Sequence, residues 1–197
     1  MTLKGKTFLM GLVAALVLGI IVPNLTISTA DAAWTDNFKF KGDFRYRYEM
    51  ADKEGSEERV RHRIRARLAV TAKVSDSVSV KLRLATGSDD PVSTNQSLDG
   101  YFSTKGFHLD RAYVEWKATD AFKVKLGKMG NPFYKPMKSE LVWDGDLCPE
   151  GIAGQFETTS DFKVYGNFAY LVIDERITDT DDAYLFGGHL GFKIPMG

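Results

Sequence analysis

The chain has 197 residues, enough for one domain or two small ones, with 44% hydrophobic and 26% charged residues. Its 26 Lys and Arg balance 26 Asp and Glu, so no basic excess points to nucleic acid. A single cysteine, Cys148, excludes an internal disulfide framework and a thiolate zinc cluster. The absence of long apolar runs beyond residue 22 excludes a bundle of membrane helices. None of these averages excludes a membrane β-barrel, whose alternating strands average to neutral hydropathy.

Residues 1–32 have the three parts of a secretory signal. Lys4 and Lys6 supply a positive start, Phe8 to Val22 is a run of 15 apolar or glycine residues, and Pro23 ends it. Ala30-Asp31-Ala32 is a small-x-small cleavage site. The alternative is a retained anchor helix, for which the run is short. Cleavage predicts a mature chain of residues 33–197, with one excess negative charge, working beyond the cytoplasmic membrane.

The mature chain alternates with period two, the signature of strands. In 38–50 the even positions carry Phe38, Phe40, Phe44, Tyr46, Tyr48 and Met50, and the odd ones Lys39, Lys41, Asp43, Arg45, Arg47 and Glu49. In 59–70 the arginines at 59, 61, 63, 65 and 67 oppose Val60, Ile64, Ala66, Leu68 and Val70. Further strands are predicted at 78–86, 109–118, 121–129, 151–158, 162–173 and 183–194. Each is near the 9–11 residues that a tilted strand needs to cross hydrocarbon. Connections at 74–77, 119–120 and 159–161 are tight, whereas 51–58, 87–106, 130–150 and 174–182 are long and polar. The expected fold is all-β: a transmembrane, antiparallel, up-and-down β-barrel with eight strands in this chain.

Alternation alone leaves open which face is outward, because a soluble lipocalin-like barrel turns its apolar face inward. Aromatic residues favour the membrane arrangement. Phe38, Trp116, Phe122, Phe162 and Phe192 stand near the short turns, and Tyr48, Tyr170, Tyr184 and Phe186 near the long loops, as two interfacial girdles would. Charges are few on the apolar face; Asp110 and Lys128 fall on it at strand ends. The opposite face carries 17 basic and four acidic residues, an excess of 13. Burying such charge in a dry interior costs several kcal/mol per ion, so it suits a water-filled lumen or acids on further strands. The ending Ile194-Pro195-Met196-Gly197 reads as a turn, not as a closing strand, and suggests the first half of a larger barrel.

No nucleophile elbow, phosphate loop or metal-spaced histidine pair occurs, so neither enzyme, cofactor nor metal is expected. Two rivals to a channel stay open: a small lipid-acting barrel enzyme, and a closed eight-stranded structural or adhesive barrel that conducts nothing.

Phe38-Lys-Phe-Lys-Gly-Asp-Phe-Arg-Tyr-Arg-Tyr48, the arginine-rich second strand and Arg111-Ala-Tyr-Val-Glu-Trp116 resemble the bacterial putative-porin family of outer-membrane barrels. So do Lys125-Leu-Gly-Lys-Met129 and the following loop with Trp143-Asp-Gly-Asp-Leu-Cys-Pro-Glu-Gly151. The resemblance implies about sixteen strands, passive diffusion of small hydrophilic solutes or ions, and a homotrimer. Its surroundings would be outer-membrane lipid and lipopolysaccharide. By analogy with porins generally, the third long loop, residues 130–150, folds into the lumen. The expected pore lining is Lys39, Lys41, Arg45, Arg47, Arg59, Arg61, Arg63, Arg65, Arg67, Lys81, Arg83, Arg111, Lys123 and Lys125. Asp144, Asp146 and Glu150 would face it from the constriction loop, and the net sign would attract anions. Alternatively, the arginines pair with Asp43 and Glu49 only to hold the wall.

Overall fold

The computed structural model describes residues 35–160, 162–178 and 181–193. The predicted export signal lies outside them, as does residue 194 of the eighth predicted strand. The described residues form one antiparallel sheet of nine strands. These are β1 (Phe38–Ala51), β2 (Arg59–Lys73), β3 (Val78–Thr86), β4 (Gln96–Ser97), β5 (Phe107–Lys117), β6 (Phe122–Lys128), β7 (Glu150–Glu157), β8 (Lys163–Asp174) and β9 (Ala183–Lys193). All eight predicted strands are present, within a few residues at each end. The sheet is a meander in the order β1-β2-β3-β5-β6-β7-β8-β9, and β1 and β9 do not pair with each other.

Local chemistry explains the short turns. Ser75 Oγ accepts the backbone N–H of Ser77 and Val78 (3.3 and 3.1 Å), Thr119 Oγ1 that of Ala121 (3.2 Å), and Thr158 Oγ1 that of Val164 (2.9 Å). Such hydroxyl-to-backbone bonds replace the ladder where the chain reverses. Lys73–Asp76 and Lys117–Asp120, each an i,i+3 ion pair of 2.6 Å, repeat one device at two turns.

Two features escape a two-residue period. β4 is a two-residue strand inside the long 87–106 connection, and it pairs with β2 at Arg63↔Ser97 and Ile64↔Gln96. β3 reaches only as far as Arg67 on β2, so β4 takes the next place along that strand. The second feature is a β-bulge. Arg83 aligns with Arg111 but Leu84 aligns with Leu109, which leaves Asp110 without a partner in the ladder. A bulge re-aims side chains: Asp110 does not stand on the apolar face as its number suggests but pairs with Arg83, and Phe107 and Leu109 are exposed.

The apolar face is the bare one. Phe44, Phe186 and Leu190 are each at least 70% exposed. Aromatic pairs mark both of its ends: Phe162 stacks on Phe192 (centroids 6.0 Å) near a short turn, and Tyr170 lies 5.1 Å from both Tyr184 and Phe186 near the long loops. Among the described residues no helix is long and apolar enough to cross a membrane, which says nothing of strands.

Candidate functional site: the loop-covered charged face

The charged face begins with the β1–β2 ladder. Register sets Arg45 opposite Arg65 and Arg47 opposite Arg63, two like-charge pairs, between Asp43↔Arg67 and Glu49↔Arg61. Like charges directly opposite each other destabilise a sheet, and the carboxylates relieve them diagonally. Asp43 accepts from Arg65 (3.0 Å) and Arg67 (2.7 Å). Glu49 pairs with Arg47 and Arg61 and lies 3.7 Å from Arg63. The wall-holding ion pairs therefore exist, yet five of those arginines share two strand carboxylates. The Nε atoms of Arg45, Arg47, Arg61 and Arg63 are buried without a hydrogen-bond partner among the described residues. Arg59 is exposed at the end of β2, and Lys39 and Lys41 are exposed toward the short turn.

The next strands continue the face. Lys81 pairs with Glu115 (2.9 Å) and Arg83 with Asp110 across β3 and β5. Lys125 stands opposite Glu115 in the ladder, and Lys123 opposite Gln155.

Both longer loops fold onto this face. From the 87–106 connection, Asn95 Oδ1 accepts from Arg45 Nη2 (2.6 Å), and Ser93 Oγ lies 3.4 Å from Arg63 Nη2. Thr86 Oγ1 donates to Thr94 O (2.9 Å) and accepts from Ala66 N (3.0 Å), which fixes the root of that loop to β2. From the 129–149 loop, Asp146 Oδ2 accepts from Thr94 N and Oγ1 (3.3 and 3.1 Å), and its other oxygen lies 3.5 Å from Arg67. Asp144 Oδ1 accepts from Asp146 N (2.7 Å) and so shapes the turn that presents Asp146. The Cys148 thiol is buried beside Arg111 Nε (3.3 Å), Arg83 Nη2 (3.6 Å) and Asp110 Oδ1 (3.7 Å). Between them the two loops thus touch Arg45, Arg63, Arg67, Arg83 and Arg111 of the charged face.

Of the three predicted constriction acids, Asp146 reaches the arginines and Asp144 braces it. Glu150 needs correction: it is not in the loop but opens β7, where it pairs with Lys128 of β6 (2.6 Å). The loop is closed at its base by Met129 N donating to Pro149 O (2.8 Å), one residue before that strand.

Further along the same face, on β7 and β8, small residues receive the start of the loop. Met129, Ala153, Ala169 and Leu171 form a small buried core, with Tyr113, Phe133 and Trp143 packed on it. The strand geometry at its root depends on two facing glycines. Gly127 and Gly151 pair across β6 and β7 with φ of 118° and 140°. Side-chain-bearing residues rarely adopt such φ, and a Cβ there would meet the carbonyl oxygens of Ala112 and Tyr170. Sequence reasoning missed this core; its only trace is a run of small residues at odd positions of β7–β9, among them Ala153, Ala169, Gly187 and Gly191. No three His, Cys, Asp or Glu side chains converge to hold a metal among the described residues.

The model of one protein family, described as putative porin, matches residues 51–197 of this chain. No curated protein gives a significant match.

Proposed function

The chain belongs to the putative porin family, and from that premise we propose that it supplies the wall of a water-filled outer-membrane channel. Small hydrophilic solutes diffuse through it passively, with anions preferred. The observation that carries this reading is the division between faces: aromatic and aliphatic side chains on the bare face, and charge under the chain's own loops on the other. Lipid accepts the first and rejects the second, since a charged side chain on the lipid side of a barrel costs about 2–4 kcal/mol at mid-depth. A soluble barrel with an apolar interior would reverse the division.

The wall so formed is basic where Arg45, Arg47 and Arg59–Arg67 stand, with Lys81, Arg83, Arg111, Lys123 and Lys125 beyond them. Asp146, presented by the loop, faces Arg67 and narrows the passage. Charged walls of this kind set ion preference and concentrate counter-ions, most strongly at low salt. On this reading the eight long strands are the first half of a barrel of about sixteen. The aromatic face meets lipid and lipopolysaccharide, the assembly is a homotrimer, and the protein catalyses no reaction. Among the described residues β1 and β9 do not pair with each other, which favours this over a closed, non-conducting barrel of eight strands.

Single-channel recording of the native, detergent-extracted protein in a salt gradient tests the proposal. Large conductance steps with an anion-favouring reversal potential are expected. Arg63→Ala with Arg65→Ala should lower the anion preference roughly twofold. Folded protein that gives no steps, or an unchanged reversal potential in the double variant, would count against it.

A further inference from the structure

The start of the 129–149 loop does not lie flat on the sheet. Toward the short-turn end, Asn131 to Tyr134 stand over the strands and bound a cleft of about 660 Å³. Its lining includes Tyr134, Tyr165, Asn131, Asn167, Lys123 and Lys193. That volume lies within the usual range of small-molecule sites.

The aromatic side of the cleft is built into the sheet. The Tyr134 and Tyr165 rings lie 5.5 Å apart, and His189 is 6.3 and 5.8 Å from them. Two glycines of β9 make room for this arrangement: a Cβ at Gly187 would come within 2.7 Å of the Phe133 ring, and one at Gly191 within 2.6 Å of the Tyr165 ring. Asn167 Nδ2 and His189 Nε2, 3.2 Å apart, tie β8 to β9 beneath the rings.

The polar groups are unevenly matched. Lys163 and Lys193 share Glu157 at 3.0 and 2.8 Å, and Lys193 also lies 5.3 Å from the Tyr165 centroid. Asp120 is paired with Lys117. The acids of the cleft are thus already neutralised, whereas Lys123 has no ion pair among the described residues. Asn131 Oδ1 accepts from Phe133 N (2.9 Å), but its Nδ2 is buried with no hydrogen-bond partner among the described residues. That nitrogen is closed to solvent, so the exposed Lys123 is the charge left for an arriving acceptor.

We propose that this cleft binds a small aromatic carboxylate. The planar ring packs against Tyr134 and Tyr165, where aromatic pairs add to simple burial. The carboxylate is held by Lys123, and bonds between charged partners are the stronger ones. An aliphatic acid offers the charge without the ring, and a sugar offers hydroxyls without the charge. Binding itself requires no channel; only the further step, that the bound solute crosses, rests on the pore reading.

Equilibrium dialysis of labelled benzoate against the full, detergent-folded chain tests this. Saturable binding of one molecule per chain is expected. Tyr134→Ala, at a half-exposed loop position, should weaken it about threefold to tenfold, and Lys123→Gln by a similar factor. Lys53→Gln, in the exposed connection between β1 and β2, should leave it unchanged. Cyclohexanecarboxylate and glucose should displace benzoate at least about tenfold less well. No saturable binding, unchanged affinity in both cleft variants, or displacement by glucose as effective as by benzoate would each overturn the proposal. Conductance without benzoate binding overturns this site alone; benzoate binding without conductance supports the site and overturns the pore reading.

Discussion

Met129 and Asp146 stand near opposite ends of one loop, and different forces hold them. Met129 is fully buried against Ala153, Ala169 and Leu171, where small residues on β7 and β8 leave space for it. Asp146 is held by Thr94 and Arg67 on the arginine side, through polar contacts of 3.1–3.5 Å that remain partly solvated. The same chain segment thus bridges an apolar seat and a charged wall. The apolar seat fixes where the loop is; the charged wall decides what it presents. A loop held only by ion pairs would loosen with salt, and one held only by apolar contacts would carry no charge to the wall.

The largest expected effect separates these roles. Met129→Ala or Leu171→Ala should cost about 2–5 kcal/mol, as buried large-to-small changes do. Thermal unfolding in detergent and tryptic cleavage at Lys138 would measure the loss. Labelling of the buried Cys148 thiol should accelerate with it, because that thiol is covered only while the loop is seated. Unchanged labelling would mean that the charged wall holds the loop alone.

Next in size is a test of the outer face. Phe168→Arg should destabilise the protein in lipid by about 2–4 kcal/mol, whereas Gln155→Arg, on the loop-covered side, should cost far less. Guanidinium unfolding from vesicles compares the two, and equal costs would contradict the assignment of faces.

Asp146→Ala should cost about 1–2 kcal/mol, less than Met129→Ala, because its partners can turn to water. It should also shift the reversal potential further toward anions by removing a carboxylate from beside Arg67. A shift toward cations would break the comparison.

The smallest effect lies at the short turns. Hydrogen bonds from Lys73 and Lys117, reinforced by their charge, hold the carboxyls of Asp76 and Asp120 below the usual carboxylate range. A carboxyl whose folded value is depressed contributes stability above its unfolded value, and that contribution fades as pH falls through the folded value. Both are fully exposed, so the sign is visible in a carboxylate NMR titration and hardly at all in melting. Lys117→Gln should return Asp120 to the ordinary range while leaving Asp76 low.

Much of this was legible in the residue order. Five arginines spaced by two on β2, against Ile64, Leu68 and Val70, can only form a two-faced strand, and period two is a purely local property. All eight long strands, the short turns and the composition of each face follow from it. Tertiary structure decided the rest, because it depends on what meets across the sheet. Asp110 changes side through a bulge that exists only in the pairing of β3 with β5. β4 is too short to have a period, and is defined by the space β3 leaves beside β2. Glu150 is a strand residue because the Met129–Pro149 bond closes the loop before it. The seat for Phe133 at Gly187 joins residues 54 positions apart in the chain. Local alternation can say that a face is small or charged, but only the fold decides which distant side chain comes to rest on it.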